Sequence, residues 1–429
     1  MTGEARASTR PRHAARAHHP WIGLAVVCTG ALVGPLDTAV NVAFPAITDA
    51  FGLALRDIQW IVIAFVIAQS GFTILFGRLG DVYGHRRIFG IGMLACVLAH
   101  LAAGFAPDYP WLVAMRVFQG VAVGIAVACG PALATLLFAP QHKRRVLGIY
   151  VTTFSLGLAI GPLAGGALIQ WLGWPGVFWF RAPLALLVLA LLPLLADVRA
   201  TRDSAGDGDP HDAPSVRTGL DGALPANPDP GGTRHPPAIV PLEPLRSPRF
   251  VALQLDSVIV NFACFAILLL VPYALARWPG QSIVASGALL ALFPGGSLAG
   301  GLLAGHAAHR LSSKLLIRGG LLVAALGLLL TAASLPSGSV AALGAALFAT
   351  GLGLGLFQVG YMDATTSMLP PQDRGIAGAL VTVTRLLGIV LGVTGIGALH
   401  EALGGFEQAI ATMGAGLLAY GVLAVFTRR

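Results

Sequence analysis

Apolar residues run through this chain in long blocks, not in the alternating or three-and-four spacing of soluble strands and helices. Twelve blocks approach or exceed the ~20 residues that a helix needs to cross a hydrocarbon core of ~30 Å. They are 21–45, 58–76, 88–106, 111–137, 146–170, 175–196, 250–275, 283–305, 315–334, 340–362, 375–399 and 407–427. A helix that is apolar all round has no aqueous face to offer. In lipid, each helix must also satisfy its own backbone polar groups. The pattern predicts an all-α integral membrane protein with twelve transmembrane helices in contact with the lipid bilayer.

One stretch breaks the series. Residues 197–249 are rich in Asp, Gly, Pro and Arg and show no periodicity. Such a segment cannot bury enough apolar area to offset its ordering entropy. It is expected to be a disordered cytoplasmic linker, either a plain tether or a regulatory segment. The chain then divides into a basic N-terminal tail (1–20), a first bundle (21–196), the linker, and a second bundle (250–429), with six spans in each bundle. The first apolar run continues to residue 45 and contains Asp37, so a cleavable signal is not expected.

Composition sharpens this picture. Of 429 residues, 56% are hydrophobic and 11% charged, whereas soluble domains carry ~25% charge. A net charge of +8 would suit a nucleic-acid partner if it were spread evenly. Instead, 22 of the 27 Lys and Arg residues fall in the tail, the linker and alternate loops. That is the positive-inside asymmetry of a membrane protein; it puts both termini in the cytoplasm and argues against nucleic acid. Cys28, Cys96, Cys129 and Cys264 all lie within spans and read as free thiols packed as small apolar residues.

An ionisable residue inside a span is costly unless paired or wet, so each is a functional candidate. Asp37 and Asn41 in span one are four apart and share a helix face. In a wet cavity a carboxylate can be protonated or ionised at modest cost, so one proton can be traded against a conformational change; the plainer alternative is an Asp that only joins helices. Arg116 and Gln119 lie early in span four. Asp37 and Arg116 both fall in the outer half and can meet. Opposite charges ~4 Å apart at an effective dielectric of ~20 attract by about 4 kcal/mol before desolvation. Arg116 is a candidate partner in coupling, or a structural cap of carbonyls. The expected cavity residues are Asn41, Gln119, Asn261, Gln358, Tyr361 and Arg385; Arg385 would hold an anionic group or balance Asp256. Asp256 itself reads equally as a coupling group or as a side chain snorkelling to the interface. Span five carries glycines at 157, 161 and 165 beside Pro162, a smooth face for close helix approach, with span eight as the expected packing partner.

Several of these strings resemble one family. Gly77-Arg78-Leu79-Gly80-Asp81-Val82-Tyr83-Gly84-His85-Arg86-Arg87 resembles the signature loop of the major facilitator superfamily, G-x-L-a-D-R-x-G-r-r. Arg116-Val117-Phe118-Gln119-Gly120 resembles its R-x-x-q-G. Leu36-Asp37 through Pro45 resembles L-D-x-T-x-V-N-V-A-L-P of its drug:proton antiporters. Gly157 through Gly166 resembles g-x-x-x-G-P-x-x-G-G, the antiporter signature. The resemblance implies two six-helix bundles around a central cavity and alternating access. It implies a gate made of Gly77, Asp81, Gly84, Arg86 and Arg87 with Gly157, Gly161, Pro162 and Gly165, in which Asp81 faces the start of span eleven. It implies proton coupling through Asp37 and Arg116. The chain departs from the pattern in three places. Val82 stands where Arg is usual. Arg181 stands where Asn is usual, read as a cation near the outer mouth. The linker replaces two extra spans.

The expected function is a proton-coupled antiporter exporting drugs or secondary metabolites from the cell; the alternative is a proton-coupled importer of one small solute. The expected partners are a small-molecule substrate and protons, with the protein acting as a monomer. H-E-x-x-H, G-x-x-x-x-G-K-[S/T] and G-x-S-x-G motifs are absent, so no enzyme, cofactor or metal is expected. Gly351, Gly353 and Gly355 mimic a dinucleotide loop but lie inside an apolar span and read as helix packing.

Overall fold

The computed structural model describes residues 20–195, 247–307, 311–369 and 374–427. The expected N-terminal tail and nearly all of the linker lie outside the described residues. Among the described residues, twelve helices are long and apolar enough to cross a membrane. In order they are Pro20–Val42, Gln59–Gly80, His85–Gly104, Tyr109–Leu136, Arg145–Leu172, Gly176–Leu194, Pro248–Ala276, Ile283–Ala307, Ser313–Ser334, Val340–Met368, Leu380–Leu403 and Phe406–Ala424. They are spans one to twelve. No strand occurs among the described residues. Large apolar side chains such as Ile67, Leu98, Leu187 and Leu423 stand on the outside of the bundle, where only lipid could cover so many of them.

The starts of several spans are written locally. Asp108 accepts a hydrogen bond from the Trp111 amide at 2.8 Å and opens span four. Ser312 and Ser339 do the same for spans nine and ten, each at 3.3 Å. These caps satisfy N–H groups that the helix itself leaves unpaired.

The loop that the resemblance implies at 77–87 takes another form. The second helix continues through Gly77 to Tyr83 and the third begins at His85, so only Gly84 separates them, with φ 95° and ψ 124°. Nothing in the charged run prevents helix formation, and the second helix runs 25 residues through it. One glycine in a backbone conformation that other residues rarely adopt makes the turn.

Glycines set the helix pairing within each half. Gly296 and Gly300 of span eight meet the backbone of Phe348 and Leu352 in span ten, and Gly351 and Gly355 return the contact on Phe293 and Ser297. Gly353 and Gly320 join spans ten and nine. The Gly351–Gly355 run is therefore packing, as the sequence indicated. Span eight is not the partner of the whole glycine face in span five. Gly157, Gly161 and Gly165 instead abut Pro35, Thr38 and Ala39 of span one, while span five meets span eight through Gly166 and the Pro162 carbonyl, at Ile283 and Gly287. The sequence shows that a face is smooth but not which helix lies on it.

We name the two ends of the bundle outer and inner after the orientation the charge distribution predicts. The halves touch at the outer end, where Gly166 meets Gly287 and Thr48 Oγ1 lies 2.7 Å from Tyr273 Oη. Below that seal lies a cavity of about 860 Å³. Its walls include inner-half residues of spans five, eight and ten, such as Val151, Phe154, Leu302, Met362 and Thr366. The cavity faces the inner end.

Candidate functional site

Span one is broken where it lines this cavity. Its first helix ends at Val33, a 3₁₀ turn covers Pro35–Thr38, and short helices follow over Ala39–Val42 and Phe44–Phe51. Pro35 lacks an N–H, so the regular ladder cannot pass through it. The tightened turn carries Asp37 into the cavity wall with Thr38 and Asn41.

Asp37 accepts two parallel hydrogen bonds from Arg116, Nη1 to Oδ1 at 2.6 Å and Nη2 to Oδ2 at 2.7 Å. The expected Asp37–Arg116 meeting thus occurs, in the bidentate form that makes such pairs strong. Arg116 also donates from Nε to the Ile61 carbonyl at 2.9 Å and from Nη1 to Gln119 Oε1 at 2.7 Å. Its guanidinium lies 4.3 Å from the centroid of the Phe65 ring, a cation–π contact.

A second arginine joins this pair. Arg181 Nη1 donates to Asp37 Oδ1 at 2.7 Å. Arg181 is fully buried, not exposed at the outer mouth as its place in the sequence suggested. The helix Gly176–Trp179 gives way at Phe180 to a new helix starting at Arg181, and this break turns the side chain inward. One carboxylate therefore serves two guanidinium groups, and the three groups carry a net charge of +1 when all are ionised. Arg181 Nε and Nη2 have no hydrogen-bond partner among the described residues. His100 of span three, also fully buried, belongs to the same environment: Arg181, Asp37 and Arg116 are its charged neighbours. Its Nδ1 donates to the Cys96 carbonyl at 2.5 Å, and its Nε2 is unpartnered among the described residues. The sequence reading missed His100; the available signal was an imidazole inside an otherwise apolar block.

Asn41, Asn261, Gln358 and Arg385 line the cavity as expected. Two expected cavity residues do not. Gln119 is fully buried behind Arg116, donating from Nε2 to the Ala99 carbonyl at 3.3 Å. It can orient the guanidinium but cannot reach a solute. Tyr361 is 1% exposed and donates to Gln254 Oε1 at 2.5 Å, with Thr384 Oγ1 2.8 Å away. It ties span ten to spans seven and eleven. Both residues lie one helical turn from a cavity residue, close enough in sequence for periodicity to assign them to the wrong face. Asp256 is buried and accepts from Tyr420 Oη at 2.5 Å, which anchors it to span twelve.

Of the expected gate, Gly157, Gly161 and Gly165 press on the broken segment of span one, and Pro162 lines the cavity while its carbonyl meets Gly287. Gly77 and Gly84 have open space around them. Arg86 and Arg87 begin the third helix. The Asp81 side chain and those at the start of span eleven lie outside the described residues, so that expected contact is not described. The helices of spans two and eleven are neighbours. All four cysteines are buried, and none forms a disulfide among the described residues.

Comparisons with known proteins agree with this architecture. The family profile described as Major Facilitator Superfamily matches residues 26–278. A puromycin resistance protein of Streptomyces alboniger is 31% identical over 407 residues, covering 87% of this chain and 80% of the relative. A tetracenomycin C resistance and export protein of Streptomyces glaucescens is 31% identical over 416 residues, covering 89% and 76%. Among solved structures, a bacterial homologue of the human lysosomal transporter Spinster, inward-facing and unoccupied, superposes with a TM-score of 0.69 at 20% identity, over 95% of each chain. At that identity the likeness speaks for the fold alone.

Proposed function

The chain belongs to the Major Facilitator Superfamily, and from that membership we propose that it is a proton-coupled antiporter that exports drugs or secondary metabolites by alternating access. In this reading it sits as a monomer in the cell membrane with both termini in the cytoplasm. Its transport role is not enzymatic.

The observation that carries the proposal is the Asp37 carboxylate in the cavity wall, held by two buried guanidinium groups. Each pair, at an effective dielectric of ~20 and ~4 Å between charge centres, amounts to about 4 kcal/mol of gross attraction. Desolvation and the repulsion between the two arginines offset much of it. A proton on Asp37 cancels the attraction and leaves the two cations facing each other. The relaxed arrangement then differs from the locked one, which is what a coupling site requires: the proton has a different affinity for the two conformations. Gln119 holds Arg116 in place as this happens. The glycine face of span five lets the broken part of span one shift without a side chain in the way. Energy comes from the ion gradient; one proton moving through 100 mV supplies about 2.3 kcal/mol. The names of the two Streptomyces relatives, one for puromycin resistance and one for tetracenomycin C resistance and export, support outward movement.

The test uses inverted vesicles with an imposed pH gradient. Uphill export by the wild type and its loss in Asp37→Asn, which cannot trade a proton, is the expected result. Asp37→Asn exporting at the wild-type rate would remove Asp37 from the coupling step. Solute moving with the proton gradient, rather than against it, would establish the symporter alternative.

A further inference from the structure

Four charged residues line the cavity among the described residues: Asp37, Arg116, Asp363 and Arg385. Three have their partners. Asp37 and Arg116 hold each other, with Arg181 behind them. Asp363, exposed at the inner end, accepts a hydrogen bond from Ser313 Oγ. Arg385 differs: no hydrogen bond or ion pair to it occurs among the described residues. Asp256 is bonded to Tyr420 instead, so the sequence-based option of an Arg385–Asp256 balance is not realised. Nor is any Arg385 nitrogen sealed in protein without a partner, as those of Arg181 are. Arg385 lines the cavity, so its unpaired N–H donors are within reach of a ligand there. A guanidinium held within a membrane and left unpaired is costly, and an anionic ligand in the cavity would compensate it.

The surroundings fit the same ligand. Arg385 sits on the second-half wall with Gln358 and Asn261; the Asn261 amide donates to the Ser257 carbonyl at 2.8 Å. Phe65, Phe154, Phe265 and Phe293 line the same cavity. A volume of about 860 Å³ lies within the ~300–1,000 Å³ of drug-sized sites. Three arginines against two carboxylates also leave the walls and the buried residue behind them net positive.

We propose that the cargo is an amphipathic organic anion: an aromatic body against the phenylalanines, with a carboxylate or similarly acidic oxygen docked on Arg385. The inference rests on the transport reading above and names its substrate class. Arg385 is the residue that selects charge, while Asp37 handles the proton.

The probes are naphthoate, its neutral amide naphthamide, and the cation naphthylmethylammonium, which share one ring system. Binding to the full chain in lipid nanodiscs is measured by titration calorimetry, with empty nanodiscs subtracted. Wild type should bind naphthoate at least about tenfold more tightly than the amide, and the cation most weakly. Arg385→Gln should abolish that preference, and a wild-type-like monodisperse peak on a sizing column shows that the variant is folded. Arg385→Lys should keep part of the preference. Equal binding of naphthoate and amide to wild type, no binding of naphthoate, or an unchanged preference in Arg385→Gln overturns the proposal. Should Arg385→Gln not fold, the wild-type comparison of acid, amide and cation decides alone. Binding needs no gradient, so charge preference without pH-driven transport would defeat the antiporter reading and leave the cargo class standing. Uphill export confined to cations would do the reverse.

Discussion

Gly161→Ala probes the contact on which the Asp37 segment rests. A Cβ at 161 runs into Thr38 Oγ1 and stands 3.1 Å from the Ala39 amide nitrogen. Thr38 is not free to swing away. Its hydroxyl bonds to the Pro35 carbonyl at 3.0 Å and across to the Leu158 carbonyl of span five at 3.1 Å. Relief requires breaking those bonds, at ~0.5–1.5 kcal/mol, or parting the helices, at ~1–3 kcal/mol for an overpacked core. The net expectation is about 2 kcal/mol of destabilisation, roughly a thirtyfold fall in the folded-to-unfolded ratio. Gly295→Ala is the control, because nothing lies within 4 Å of a Cβ there and alanine is the better helix former by ~1 kcal/mol. The assay heats purified protein and measures the fraction that remains monodisperse on a sizing column. Gly161→Ala should lose its midpoint by several degrees, and Gly295→Ala should equal or exceed wild type. Thr38 adjoins Asp37, so Gly161→Ala should also slow export. If Gly161→Ala is as heat-resistant as Gly295→Ala, the interlock of spans one and five is not as described.

Arg116→Ala breaks a buried, bidentate pair, a loss of ~3–5 kcal/mol, and should lower pH-driven export by at least about a hundredfold in vesicles. Arg181→Asn leaves the Arg116 pair intact and should stay within about tenfold of wild type; the opposite ranking would make Arg181 the principal partner. Gly84→Ala places a side chain where φ is 95° and should cost about 1–3 kcal/mol, seen as earlier loss of monodispersity on heating. Gly77→Ala, inside a helix with open space around it, should be neutral or stabilising, and equal behaviour of the two would refute a special turn at Gly84.

The spans were legible because apolar blocks of membrane length admit few other structures. The Asp37–Arg116 pair was legible too, since two opposite charges in the same half of neighbouring bundle helices have little else to meet. What escaped the sequence were facts about direction. Arg181 looked like a rim residue because Pro183 marks a break after Trp179 but not the direction in which the Arg181 side chain turns. Gln119 and Tyr361 fell on plausible faces, but helical periodicity does not say whether a face meets a cavity or another helix. The span five glycines announced close packing without naming span one as the partner. The charged run at 77–87 suggested a loop, yet its residues are compatible with helix and only Gly84 breaks it. Arg385 was visible as a buried cation, whereas its lack of a partner is a property of the assembled walls.

The central claim is that Asp37 alternates between ionised and protonated forms as the protein changes conformation. Infrared difference spectroscopy reads this directly, through the carbonyl stretch of a protonated carboxyl group. Conformation-specific binders would trap inward- and outward-open forms, and Asp37→Asn would assign the band. The account predicts a protonated-carboxyl band in one form that is missing from the other and absent from Asp37→Asn. A spectrum in which that carboxyl group is identical in both trapped forms would contradict it.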